Sequence, residues 1–221
     1  MSKQYIICVS GEIGAGKSYI TKKLIEMATA KGIKAHHLDL DIITHEILRD
    51  LPQPKYQEIR SIIVDEFGAQ VKNADGSINR KILGELVFND KQKLERLNQI
   101  MMQPLLVRIR RVLYGKKGLI FFNSALIVEA GMTYLANNNV CLVKTDKISQ
   151  KQRLLNRDLT ELQIKRRLKS QYTYSQKKLY LNRLIKKENF GQIWEVDNSQ
   201  KGTDQVLARE FNKILKHFNL Q

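Results

Sequence analysis

Residues 11 to 18 read GEIGAGKS. They fit the spacing G-x-x-x-x-G-K-[ST] of a loop that wraps a phosphate group. An apolar run, YIICVS (5–10), leads into the loop, and an amphipathic run, SYITKKLIEMATAKG (18–32), leads out of it. A strand, a glycine loop and a helix in that order constrain this chain more than any other feature. Gly11 and Gly16 permit tight backbone turns and the close approach of an anion. Successive amide N–H groups can then face inward around phosphate oxygens, and a helix beginning near Lys17 adds its positive end. Lys17 can reach the β- and γ-phosphates of a nucleoside triphosphate, and the Ser18 hydroxyl can reach Mg²⁺. The bland alternative is a glycine-rich turn that merely joins two elements. The strand before it and the helix after it favour the phosphate loop.

Four further apolar runs read as strands: KAHHLD (34–39), LIFFN (119–123), VCLVK (140–144) and IWEVD (193–197). Several are nearly continuous hydrophobics, as parallel strands covered on both faces require. Helical patterns lie between them, so the expectation is an α/β fold with a five-stranded parallel sheet. Two stretches exceed a simple crossover. Residues 42–115 read as mostly helical around a turn at KNADGS (72–77), and 147–189 as basic and helical.

The 38 Lys and Arg against 22 Asp and Glu leave a net charge of +16, which favours polyanionic partners. Nucleotides, phosphorylated small molecules and nucleic acid all qualify on charge alone. The basic stretch SQKKLYLNRLIKKEN (175–189) reads more simply as a solvated helix face than as a nucleic-acid patch. Cys8 and Cys141 sit in apolar runs, as buried strand residues do, and not as a disulfide or metal framework. No run approaches the ~20 apolar residues that span a bilayer. The opening MSKQYIICVSG has no long apolar leader, so the expectation is a cytoplasmic protein.

The segment HHLDLDIITHEIL (36–48) ends a strand in Asp39 and Asp41. Ligands of open α/β sheets gather at the carboxyl ends of the strands. A carboxylate there can orient an attacking hydroxyl and take its proton late in the transfer. If the strand continues through Asp41, the alternation D-L-D puts both acids on one face. Asp41 reads equally well as a cap on the helix that follows.

With these segments laid out, the chain resembles the dephospho-CoA kinase family. SGEIGAGKS is similar to the family's T-G-G-I-G-S-G-K-S, and HLDLDIITHEIL to its I-D-A-D-x-I-A-x-x-V. FGAQVKNADGSINRKILGELVFND resembles F-G-x-x-I-x-x-x-D-G-x-L-x-R-x-x-L-x-x-x-V-F, a segment that few other phosphate-loop kinases carry. MMQPLLVRIR, SALIVEAG, SQKQRLLNRDLT, RRLKSQ and VDNS resemble further family segments along the chain. Gln103, Ala125 and Lys144 stand where the family has histidine, proline and aspartate.

The resemblance implies transfer of the ATP γ-phosphoryl group to the ribose 3′-hydroxyl of dephospho-CoA. It implies a single phosphate-loop kinase domain in three parts: a core (1–41, 116–146 and 190–221), an acceptor-binding helical region (42–115) and a lid (147–189). Asp41 matches the family's catalytic base, with Asp39 beside it; Lys17 and Arg157 complete the catalytic set. Gly11, Glu12, Ile13, Gly14, Ala15, Gly16, Lys17, Ser18 and Tyr19 would contact ATP, with Ser18 on Mg²⁺. Arg153 would join Arg157 over the γ-phosphate, and Asn198 would meet the adenine. Asp39, Asp41, Arg80 and Arg108 are the acceptor-side candidates, the two arginines for its pyrophosphate. The implied partners are ATP and dephospho-CoA, with no membrane and no nucleic acid, as a monomer or weak homo-oligomer.

Two other readings compete. One is another small-molecule phosphate-loop kinase, acting on a nucleoside or nucleotide. The other is a nucleotide- or nucleic-acid-binding regulator without turnover. The segment ADGSINRKILGELVFND counts against the first, and Lys17, Ser18, Asp41 and Arg157 together count against the second.

Overall fold

The computed structural model describes residues 3–87, 90–156, 160–199 and 203–220. The chain divides into two compact units, one made of residues 1–39 and 116–221 and the other of residues 40–115.

The first unit is built on a parallel five-stranded sheet. Its strands are β1 (Gln4–Ser10), β2 (Ala35–Asp39), β3 (Gly118–Asn123), β4 (Asn139–Lys144) and β5 (Gln192–Asp197), in the order β2-β3-β1-β4-β5. The expected α/β class and parallel sheet are what the chain forms. Every strand runs the same way, so all the carboxyl ends lie along one edge. There Asp39 is in register with Asn123, which is in turn in register with Val9.

Helices α1 (Lys17–Ala30) and α9 (Thr203–His217) supply the core on one face. Ile20, Leu24 and Ala28 from α1, and Leu207, Phe211, Ile214 and Leu215 from α9, cluster with Ile7, Val9, Phe121, Cys141, Val143, Trp194 and Val196. Burial of each large side chain there contributes about 1.5–3 kcal/mol. The alternation along β5 sets its two faces apart. Trp194 and Val196 join that core, whereas Glu195 and Asp197 meet charged partners, Lys178 at 2.8 Å and Lys144 at 3.1 Å. Lys178 lies on α8 (Tyr174–Glu188), preceded by α6 (Lys147–Leu155) and α7 (Glu161–Lys169). Thr160 and Thr173 open α7 and α8 with reciprocal capping boxes.

The second unit contains α2 (Leu40–Leu48), α3 (Pro54–Phe67), α4 (Arg80–Val87) and α5 (Lys91–Leu113). Pro54 starts α3, where a missing N–H costs nothing. The KNADGS segment forms the expected turn, closed by Asn73 N–H on Ser77 O at 2.9 Å and by a bridge between Lys72 and Ile78. Arg60 is buried and donates to Ile47 O and Leu51 O, satisfying carbonyls at the end of α2.

Candidate functional site

The loop between β1 and α1 is shaped by contacts that admit no side chain. At Gly11 φ is +154°, and a Cβ would stand 2.3 Å from the backbone oxygen of Val143 in the neighbouring strand. Gly16 precedes α1 in the left-handed region at φ 90°, and a Cβ there would meet Asn198 Nδ2 at 2.1 Å. The first helical residue is therefore Lys17, as expected, and the helix opens directly off the loop.

The loop's carbonyls are gripped from outside. Asn198 Nδ2 donates to Ala15 O at 2.8 Å, and Arg153 Nη1 lies 3.3 Å from the same oxygen and 3.4 Å from Gly14 O. Arg153 Nη2 also donates to Asn198 O at 2.9 Å, tying the two residues together. The resemblance assigns Arg153 to a phosphate and Asn198 to adenine; in this structure the side chains of both also donate to carbonyl oxygens of the phosphate loop. Lys17 Nζ curls over the turn, donating to Gly11 O at 3.1 Å and Glu12 O at 3.2 Å.

These grips bear on what the loop can hold. The amides of Ile13 and Ala15 have acceptors within the protein. Among the described residues, those of Gly14 and Gly16 meet none. Two buried or half-buried amides left in this way beside an ammonium and a helix N-terminus suit a phosphate. The group fits. Among the described residues, no cluster of His, Cys, Asp or Glu could hold a metal ion by itself. Ser18, exposed on the first turn of α1, is the side chain that would share Mg²⁺ with a nucleotide's phosphates. Tyr19 is exposed beside it, with Lys23 Nζ 5.9 Å from its ring centre.

Asp39 ends β2 and Asp41 lies in the first turn of α2. Helix α2 begins at Leu40, so the strand does not reach Asp41 and strand alternation does not align the two carboxylates. One residue, Leu40, separates them along the chain. Arg157 lies outside the described residues. Arg80 opens α4 and lines a cleft of about 360 Å³ with His45, Arg49 and Asn79. Arg108 is paired with Glu46 on α2 at 2.9 Å, so its charge is already answered.

Two participants, Lys177 and Asn123, carry no sequence signal. Lys177 on α8 is fully buried, donating to Ala125 O at 2.7 Å and to Glu129 Oε1 at 2.5 Å. Burial pulls its pKa down and Glu129 opposes that shift. Glu12, within the loop, is pushed up by burial while Lys177, Lys147 and Lys17 hold it down. Asn123 accepts from Thr21 Oγ1 of α1 at 2.6 Å, with its Nδ2 buried and unpartnered among the described residues. Lysine in a basic helix, or asparagine at a strand end, gives no pattern to read in one dimension.

Comparison with known proteins identifies the family. The sequence model of the dephospho-CoA kinase family matches residues 5–193. The dephospho-CoA kinase of Dehalococcoides mccartyi is 37% identical over 185 residues, 81% of this chain and 87% of the relative. That of Aquifex aeolicus is 29% identical over 206 residues, 92% of this chain and 98% of the relative. A crystal structure from Thermus thermophilus shares the fold, with TM-score 0.67 at 21% identity over 97% of each chain. With a match that runs from the first strand to the last, the chain belongs to the dephospho-CoA kinase family.

Proposed function

We propose that this protein transfers the γ-phosphoryl group of ATP to the ribose 3′-hydroxyl of dephospho-CoA, giving coenzyme A, the last step in making that cofactor. The observation that carries the donor side is the loop 11–16. It is held from outside by Arg153 and Asn198, while the amides of Gly14 and Gly16 have no acceptor among the described residues. Family membership carries the acceptor.

Lys17 answers the charge of the β- and γ-phosphates. It reaches the loop's own carbonyls across a weakly solvated turn, so a phosphate oxygen offers it a stronger partner. Asp41 orients the attacking hydroxyl and accepts its proton as the bond to phosphorus forms. Chain connectivity keeps it within two residues of Asp39 at the sheet's carboxyl edge. Arg157 neutralises charge that spreads over the transferring oxygens, and the Ser18 hydroxyl would hold Mg²⁺, which would supply neutralisation of the donor's phosphate charge. Arg80, with Arg49 and His45 in the same cleft, receives the acceptor's pyrophosphate. Among the described residues no helix is long and apolar enough to cross a membrane, and the reaction is proposed to run in the cytoplasm.

The test is ATP consumption by purified protein with dephospho-CoA, adenosine, AMP or a pyrimidine nucleotide as acceptor. Turnover with dephospho-CoA alone supports the proposal. Turnover with a nucleoside or nucleotide instead favours the broader kinase reading, and ATP binding without turnover favours the regulator.

A further inference from the structure

Ile13, in the middle of the phosphate loop, is held on both sides of its backbone by two glutamines. Its N–H donates to Gln171 Oε1 at 3.0 Å, and its carbonyl accepts from Gln150 Nε2 at 2.8 Å. Gln150 sits on α6 and is buried; Gln171 sits in the corner between α7 and α8. Helix α6 packs closely against the loop. A Cβ at Gly14 would lie 3.1 Å from Gln150 Cγ and 3.0 Å from Leu154 Cγ. The corner is itself anchored, because Tyr172 N–H donates at 2.8 Å to Glu129, the carboxylate that pairs with Lys177.

A peptide unit is planar and trans, so its carbonyl and the next N–H point in opposite directions. Fixing Ile13 O against α6 therefore aims the Gly14 N–H the other way, out of the α6 face. That amide meets no acceptor among the described residues. The grip of Asn198 on Ala15 O aims the Gly16 N–H by the same geometry. Gln171 meanwhile occupies the Ile13 N–H and keeps the loop from rotating to present that group instead.

We propose that Gln150 and Gln171 are positioning residues for donor binding: clamping Ile13 by its carbonyl and its amide, they fix the Ile13–Gly14 peptide so that the Gly14 N–H faces the phosphate. The inference rests on the phosphate-loop part of the proposed function and not on the identity of the acceptor. The two glutamines have opposite polarity, which makes them separable. Gln171 serves as an acceptor, and a carboxylate can replace it. Gln150 serves as a donor, and a carboxylate cannot; it would face Ile13 O with like partial charge.

The experiment compares Gln150→Glu with Gln171→Glu, variants that add the same charge beside the same residue. Gln150→Met and Gln171→Met guard against effects of burying that charge. Three quantities are read: hydrogen exchange at the Ile13 amide in the ligand-free protein, the Kd for MgATP, and KM values for both substrates. Gln171→Met loses protection at Ile13 and Gln171→Glu restores it. Gln150→Glu and Gln150→Met weaken MgATP by about fivefold or more, the worth of one hydrogen bond, with KM for dephospho-CoA unchanged. Unaltered exchange at Ile13 in Gln171→Met, or equal weakening of MgATP by the two Glu variants, overturns the proposal. Failure of the wild type to phosphorylate dephospho-CoA overturns the acceptor assignment alone, because the exchange and MgATP measurements involve no acceptor.

Discussion

Lys177→Met removes an ammonium that is fully buried, while leaving its partner carboxylate in place. In the wild type Glu129 Oε1 accepts from Lys177 Nζ and from Tyr172 N–H, and its Oε2 is buried with no partner among the described residues. Without Lys177 the carboxylate holds a single neutral donor, and Ala125 O loses its bond as well. Breaking one side of a buried ion pair costs about 3–5 kcal/mol. For a chain of this size that lowers Tm by roughly 6–20 °C, at about 2–4 °C per kcal/mol. The double variant Lys177→Met/Glu129→Leu removes both charges. Apolar replacement of a whole pair is close to neutral, so its main remaining cost is the bonds lost by Ala125 O and by the Tyr172 N–H, together about 1–2 kcal/mol. Urea unfolding of the wild type, both single variants and the double variant reads the coupling between the two residues. The reasoning predicts that the double variant is more stable than Lys177→Met. A single variant within ~1 kcal/mol of wild type, or a double variant less stable than Lys177→Met, refutes it.

Four further perturbations follow from the site. Gly11→Ala sets a methyl 2.3 Å from Val143 O at a positive φ; backbone strain alone costs about 1–3 kcal/mol, and both stability in urea and MgATP affinity should fall together. Glu12 is raised from 4.5 by burial, so its stabilising contribution is present below pH 4.5 and is lost as pH rises through its folded value. Glu12→Gln should accordingly gain stability over wild type at neutral pH, with tighter MgATP binding, and the gain in Tm should vanish toward pH 4. Asp41→Asn should lower kcat by at least about a hundredfold with little change in MgATP affinity, whereas Lys17→Ala should weaken both, as steady-state kinetics and calorimetry will read.

The five strands were legible because a parallel strand buried on both faces needs an unbroken apolar run, as LIFFN and VCLVK supply. The phosphate loop was legible because only glycine suits Gly11 and Gly16, and such positions leave a mark in the sequence. The D-L-D segment left strand and helix-start readings of Asp41 open, and the helix start is what forms. A strand and a helix meet between Asp39 and Leu40, and the period changes from 2 to 3.6 with no Gly or Pro to announce it. Arg153 and Asn198 were marked by resemblance, yet their observed bonds to loop carbonyls depend on how α6 and the end of β5 seat against residues 14–15. Lys177 and Glu129 are 48 residues apart, and Ile13 and Gln171 are 158 apart. Nothing local distinguishes such residues from the solvated lysines and glutamines around them.

The transfer itself can be followed directly. Phosphorus NMR of the product formed from ATP and dephospho-CoA should show a new monoester on the ribose 3′-oxygen, in wild type and not in Lys17→Ala. A product phosphorylated elsewhere, or ADP released with no new ester, would contradict the account.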